Sequence, residues 1–154
     1  MKTRIIALAA ATGLASAAAP ALAQDFDAVL KARQGEMRIM AINLGILGAM
    51  ARGNLEYNAE MAQAAADSLV AVSQINQRPL WREGSDNMSI DGTKALPMIW
   101  DDIAGFRADW EAFGEAAAAA AATVANGQEA LGPALRGIGG TCQACHEAFR
   151  EADS

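Results

Sequence analysis

A chain of 154 residues in which 53% are hydrophobic is long enough for one domain with a single real core. Its 18 acidic against 12 basic residues give a formal net charge of −6, which repels phosphate backbones and makes nucleic acid an unsuitable partner. The same charge favours partners that present a basic surface.

Lys2 and Arg4 open the chain and an apolar run follows from Ile5 to Ala19. Pro20 and the small-residue pattern Ala21-Leu22-Ala23 then read as a cleavage site, so residues 1–23 are expected to be a cleaved signal peptide and 24–154 the exported domain, destined for the periplasm. The alternative, a membrane anchor, is disfavoured because the run falls short of the roughly 20 apolar residues that a spanning helix needs. Loss of Lys2 and Arg4 leaves the mature chain still more acidic.

The remainder predicts an all-α fold, a four-helix bundle with a long loop between its second and third helices. The first helix spans about Asp27 to Arg52, with Leu30, Met37, Met40, Leu44 and Leu47 on an apolar stripe that also contains Arg33. Gly53-Asn54 ends it. The second begins near Asn58, a candidate cap, and is expected to turn Met61, Ala65, Leu69, Val72 and Ile75 inward. From Gln77 to about Ala95 periodicity fails and turn residues dominate, and a loop of this length in a compact domain tends to cover something. Pro97 suits the first turn of the third helix, which carries Ile99, Ile103, Phe106, Trp110, Phe113, Ala117, Ala120 and Val124 to Asn126-Gly127. Ala116 to Ala122 reads as helix, since alanine is the strongest helix former. The fourth helix starts near Glu129 and repeats Leu131, Leu135, Ile138, Cys142, Cys145 and Phe149 in alternate steps of four and three, the packing period of antiparallel bundles. Gly137, Gly139 and Gly140 weaken it just before the cysteines, as if something bulky approached the backbone there.

Both cysteines lie in Cys142-Gln143-Ala144-Cys145-His146, the attachment sequence of c-type haem. Two thiols about one helical turn apart add across the two vinyl groups of a porphyrin, and the adjacent imidazole reaches the iron. Three other readings compete. A thioredoxin-like dithiol sits at a helix start after a strand, but here the motif lies late in a helix. A structural zinc site needs four ligands, and His146 is the only histidine. A disulfide across so small a loop stabilises little.

A single histidine excludes bis-histidine ligation within the chain, so the sixth position is open, or is filled by methionine or an external ligand. Met37, four residues after Arg33 on the inward stripe, is the candidate; its plain alternative is adaptable packing against the porphyrin. Met40 and Met50 read as core, Met88 and Met98 as residues of the loop and its end, and Trp81, Trp100 and Trp110 as core or loop-anchoring aromatics, contact with haem being the alternative for Trp81. Asp101-Asp102, Glu111 and Glu115 read as solvated helix faces. No nucleophile–base pair is evident and the only histidine is committed to iron, so no enzyme is expected.

Three segments carry a resemblance that spans the mature chain: Ala-Arg-Gln-Gly-Glu-Met from Ala32 to Met37, Pro97-Met98-Ile99-Trp100, and Gly140-Thr141-Cys142-Gln143-Ala144-Cys145-His146-Glu147-Ala148-Phe149-Arg150. With a haem motif this near the C-terminus, the sequence resembles the cytochrome c-prime family. The resemblance implies a left-handed antiparallel four-helix bundle, commonly a homodimer formed through its first two helices. It also implies Arg33 near the haem propionates, Met37 over the distal face, and Arg150 beside a fairly exposed proximal His146. For Arg150 the alternative is a solvated cation at a helix end; its spacing from His146 would put both on one helix face. Typical members are five-coordinate and admit NO or CO, whereas low-spin members use a distal methionine as sixth ligand and resemble electron carriers. Asn43 to Gly53 is similar to both branches. Two functions follow as expectations: binding of NO or CO at the distal face, and one-electron transfer to a redox partner with a basic docking surface.

Overall fold

The computed structural model describes residues 26–153, so the expected signal peptide and its cleavage site lie outside the described residues. Long stretches of good helix formers produce α1 (Asp27–Ala51), α2 (Ala59–Ser73), α4 (Ile103–Ala121) and α5 (Gln128–Phe149), joined by α3 (Met98–Asp101) and a 3-10 turn at Val124–Asn126. α1 ends where Gly53, at φ 71°, takes the left-handed conformation that lets the chain reverse. Asn58 caps α2 as anticipated, its side-chain oxygen accepting from the Met61 amide.

The helix expected to run unbroken from Pro97 is interrupted. Asp102 leaves helical geometry and its carboxylate accepts from the Gly105 amide at 2.9 Å, starting α4 afresh after the single turn of α3. An aspartate that bonds to a nearby backbone amide favours a cap over a helix interior. Asp101 and Asp102 are both exposed, as read, but Asp102 also has this structural task.

The inner face of α2 also differs from expectation. Ala62, Ala65, Ala66, Leu69 and Val72 are buried, while Met61 and Ile75 are exposed. Alanines at 62 and 66 let the neighbouring helices close in, and the face turns by one residue to use them.

α1 packs on α2, α2 on α4, α4 on α5 and α5 on α1, with no contact across either diagonal. At one end Tyr57 donates to the Val124 carbonyl and Gln128 to that of Met50, joining the end of α1, the start of α2, the end of α4 and the start of α5. All four neighbouring pairs are therefore antiparallel. Leu47, Met50, Val124 and Leu131 fill this end completely. The opposite end is closed by the crossover between α2 and α3 together with the C-terminal tail. Leu96 donates to the Phe149 carbonyl and Glu151 to that of Lys94, so the crossover is stitched to the end of α5. Met88, 81% exposed, lies on this crossover and Met98 on α3, both outside the core.

The register of α2 sets a test. Leu69→Ala should lower the stability of the haem-loaded protein by about 2–5 kcal/mol in chemical denaturation, and Met61→Ala by no more than about 0.5 kcal/mol. Equal losses would contradict the observed inner face.

Candidate haem site

Between the first turns of α1 and α4 and the last turns of α5 the bundle holds a cavity of about 620 Å³, within the range of cofactor sites. From α5, Cys142, Cys145 and His146 all line it, three and four residues apart on one helix face. Both thiols are free and half-buried. Burial pushes the Cys145 thiol up to about 11, with Asp109 and Cys142 adding to the effect, and burial also raises Cys142. His146 stands at the exposed rim; removal from water and the charge of Arg150 hold its imidazole below the ordinary value, while Asp153 opposes them.

From α1 come Arg33, Met37 and Leu44. Arg33 is only 3% exposed, yet its guanidinium makes a single hydrogen bond, to the Ser85 carbonyl at 3.1 Å. Its ring-side neighbour is Trp81, whose centroid lies 4.6 Å from the guanidinium carbon. Nε and Nη1 have no protein partner. Met37 is half-buried on the cavity wall, whereas Met40 and Met50 belong to the core.

The crossover supplies Trp81 and residues 92–95 to the cavity, so the long loop does cover something. Trp81 meets Phe106 edge-on at 4.7 Å, and Phe106 meets Phe149 at 5.5 Å, giving a continuous aromatic wall. Trp110 also lines the cavity and donates to the Ser73 carbonyl, while Trp100 donates to that of Trp81.

Arg150 reaches the cavity but not by the expected route. α5 stops at Phe149, and Arg150 is extended (φ −124°, ψ 134°), paired in an isolated bridge with Ala95, so it does not share a helix face with His146. Its amide still donates to the His146 carbonyl, and its guanidinium pairs with Asp153 at 3.0 Å. Lys94 binds the same carboxylate. The glycines before the motif also depart from expectation: a Cβ at Gly137, Gly139 or Gly140 would meet no neighbouring atom, and all three are exposed.

Sequence reasoning did not single out Glu36. It is 4% exposed, with one oxygen accepting from Gln77 at 2.7 Å and the other without a partner. Burial raises its carboxyl, against the pull of the Gln77 bond. The one available signal was its place three residues after Arg33, on the same inward face.

Apolar and aromatic walls, two thiols beside an imidazole, and a buried guanidinium with spare donors fit a flat apolar group that carries anionic substituents. Among the described residues no cluster of three or more His, Cys, Asp and Glu side chains is arranged to hold a metal ion, which leaves the zinc reading without ligands. The fold and site define a helical-bundle c-type cytochrome. Residues 28–150 match the family model described as Cytochrome C', and the chain belongs to that family. It is 39% identical over 140 residues to a cytochrome c' of Cereibacter sphaeroides, covering 91% of this chain and 94% of that protein. It is also 36% identical over 139 residues to a cytochrome c-554 of the same organism, covering 88% and 91%. A solved cytochrome c' from Rhodobacter spheriodes superposes with a TM-score of 0.80 at 37% identity, over 84% of this chain and 99% of that one. A nitric oxide complex of a mutant cytochrome c prime from Alcaligenes xylosoxidans superposes at 0.68 with 28% identity, over 82% and 97%. The cofactor of the family, and of this chain, is haem c.

The Asp153 carboxyl is held at about 2, below the ordinary 3.8, by its bonds to Lys94 and Arg150. A depressed carboxyl adds stability above its unfolded value and loses it as pH falls through the folded one. The stability gap between wild type and Asp153→Asn should therefore be full above 3.8, shrink below it and be gone under about 2, as followed by denaturation across pH. A gap independent of pH would exclude the ion pairs as its source.

Proposed function

We propose that this chain is an exported, periplasmic mono-haem cytochrome in which Cys142 and Cys145 form the thioethers and His146 is the proximal ligand. The observation that carries the reading is the convergence of these three side chains from α5 on a cavity whose α1 wall carries Leu30, Met37, Met40, Ala41 and Leu44 beside the polar Arg33, Gln34 and Arg38. When bound, haem c supplies a one-electron couple and a coordination position open to a diatomic gas. The residues of the chain do the rest. Arg33 neutralises the propionates with its spare donors. Met37 and Leu44 give the distal face an apolar part, which suits NO or CO, beside the polar Gln34 and Arg38 of the same wall. Arg150, beside His146 and held by Asp153, adds positive charge on the proximal side. The role is binding and one-electron carriage.

A second reading makes Met37 the sixth ligand and the protein a low-spin electron carrier. It is favoured by the position of Met37 on the cavity wall and by the similarity to cytochrome c-554. In either case the acidic surface directs docking to a redox partner with a basic face. α1 and α2 leave Ile39, Ile42 (62% exposed) and Met61 facing water, which supports a homodimer formed through these helices.

Three outcomes are expected. The reduced protein should lack a sharp low-spin α-band, and Met37→Leu should leave its spectrum nearly unchanged. A sharp band in the wild type that Met37→Leu abolishes would instead establish the second reading. Changing both Cys142 and Cys145 to Ala should abolish covalent haem and yield a poorly ordered, protease-sensitive chain, since four helices around an empty 620 Å³ hole bury too little; a well-ordered product would refute that account. In sedimentation, Ile42→Lys should shift the protein to monomer without loss of haem, and an unaltered dimer would move the interface elsewhere.

A further inference from the structure

Glu36 and Gln77 have no part in the reading above, yet they make a side-chain contact between α1 and the crossover in which the Glu36 carboxyl is buried. Gln77 Nε2 donates to Glu36 Oε1 at 2.7 Å, and Trp81 Nε1 donates to Gln77 Oε1 at 2.8 Å. Both ends of one amide are thus used, and the amide's orientation is fixed by two different partners. The Trp81 ring that this relay holds in place is the ring beneath the Arg33 guanidinium. Arg33 and Glu36 lie one turn apart on α1 but form no ion pair with each other; the route between them runs out through Gln77 and returns through the indole. Gln77 also lies in the wall of a second hollow beside Phe106 and Trp110, so the relay sits at the partition between the haem cavity and the outside.

We propose that Glu36 and Gln77 are positioning residues, forming with Trp81 a hydrogen-bonded relay that clamps the crossover onto α1 and sets the platform from which Arg33 presents its two spare donors to the haem propionates. The proposal rests on the assignment of Arg33 to the propionates made above. Its physical basis is the cost of leaving a buried donor or acceptor unmade. If Gln77 loses its amide, both the Glu36 carboxyl and the Trp81 indole are left without their partner, and the indole is free to turn away from Arg33. Side-chain size at position 77 is a secondary matter, because leucine fills a similar volume. At position 36 an amide can accept as a carboxylate does, so Glu36→Gln keeps the relay while Glu36→Leu breaks it.

The test uses the haem-loaded protein labelled with ¹⁵N-tryptophan, with Trp81→Phe to assign the indole signal. The Trp81 indole N–H should exchange slowly in wild type and Glu36→Gln, and at least tenfold faster in Gln77→Leu and Glu36→Leu. The Trp110 indole, bonded to the Ser73 carbonyl, is the internal control and should not change. If both indoles speed up together the variants are merely looser, and the relay is refuted. The second readout is the propionate bending band in the resonance Raman spectrum, which should shift in Gln77→Leu in the same direction as in Arg33→Lys. An unmoved band in Arg33→Lys removes the propionate assignment, and the relay's role toward haem falls with it. A band that moves in Arg33→Lys but not in Gln77→Leu keeps the assignment and overturns the relay.

Discussion

The burial of Arg33 is the constraint from which the rest of the site follows. A guanidinium removed from water costs several kcal/mol unless opposite charge and hydrogen bonds replace what it loses. The protein returns only part of that: one carbonyl, from Ser85, and one aromatic face, from Trp81. Among the described residues nothing acidic lies within ion-pair distance of it, for the nearby Glu36 carboxyl is turned toward Gln77. Burial alone drives the Arg33 guanidinium below its ordinary value, with no neighbouring charge to oppose it. Arg33 lines a cavity of cofactor size while two of its buried guanidinium nitrogens lack a partner among the described residues, which amounts to a standing requirement for an anion. A haem would meet it, as proposed, with carboxylates attached to an otherwise apolar plate that the apolar walls accommodate.

This requirement explains why the two ends of the bundle are built differently. At the closed end Leu47, Met50, Val124 and Leu131 are fully buried and pack against each other, and two side-chain hydrogen bonds tie the helix termini together. At the other end the corresponding volume is left to the cofactor, so helix-to-helix packing cannot close it. The crossover and the C-terminal tail close it instead, through backbone pairs at Leu96–Phe149 and Lys94–Glu151 and through the shared carboxylate of Asp153. The haem end keeps only the small cluster of Ala95, Ile99, Phe106 and Phe149 of its own and leaves the rest of its core volume to the cofactor, and the far end does not.

What was legible in the sequence follows from how local each signal is. Cys142, Cys145 and His146 form one short motif whose spacing dictates its chemistry, and heptad-like spacing exposed α5 and α1 as bundle helices. Asn58 announced its own cap. Glu36 was hidden because an acidic residue on an apolar stripe has no meaning until its partner is known, and that partner, Gln77, lies 41 residues away in a segment without periodicity. Asp102 was missed because its choice between helix interior and cap depends on a single backbone bond. Arg150 was assigned to a helix face because nothing in the sequence shows that the chain leaves α5 at Phe149 to pair with Ala95. Helical spacing through Ala65, Leu69 and Val72 points Met61 and Ile75 inward, whereas the close approach of neighbouring helices rewards the alanines at 62 and 66.

The crossover emerges as a spacer between the two walls that face the iron. Toward α1 it is bonded at Gln34, Arg33 and Glu36, through Gly92, Ser85 and Gln77. Toward α5 it is bonded at Phe149 and the residues that follow, through Leu96, Lys94 and Ala95. Met37 sits immediately after Glu36, and His146 three residues before Phe149. The gap between thioether and imidazole is thus governed by a loop joined to both helices, in addition to the packing of α1 on α5 lower in the bundle. Under the proposed ligation, whether Met37 shields the iron or binds it would follow how closely the crossover draws α1 toward α5, through its bonds at Ser85, Gln77, Leu96 and Lys94.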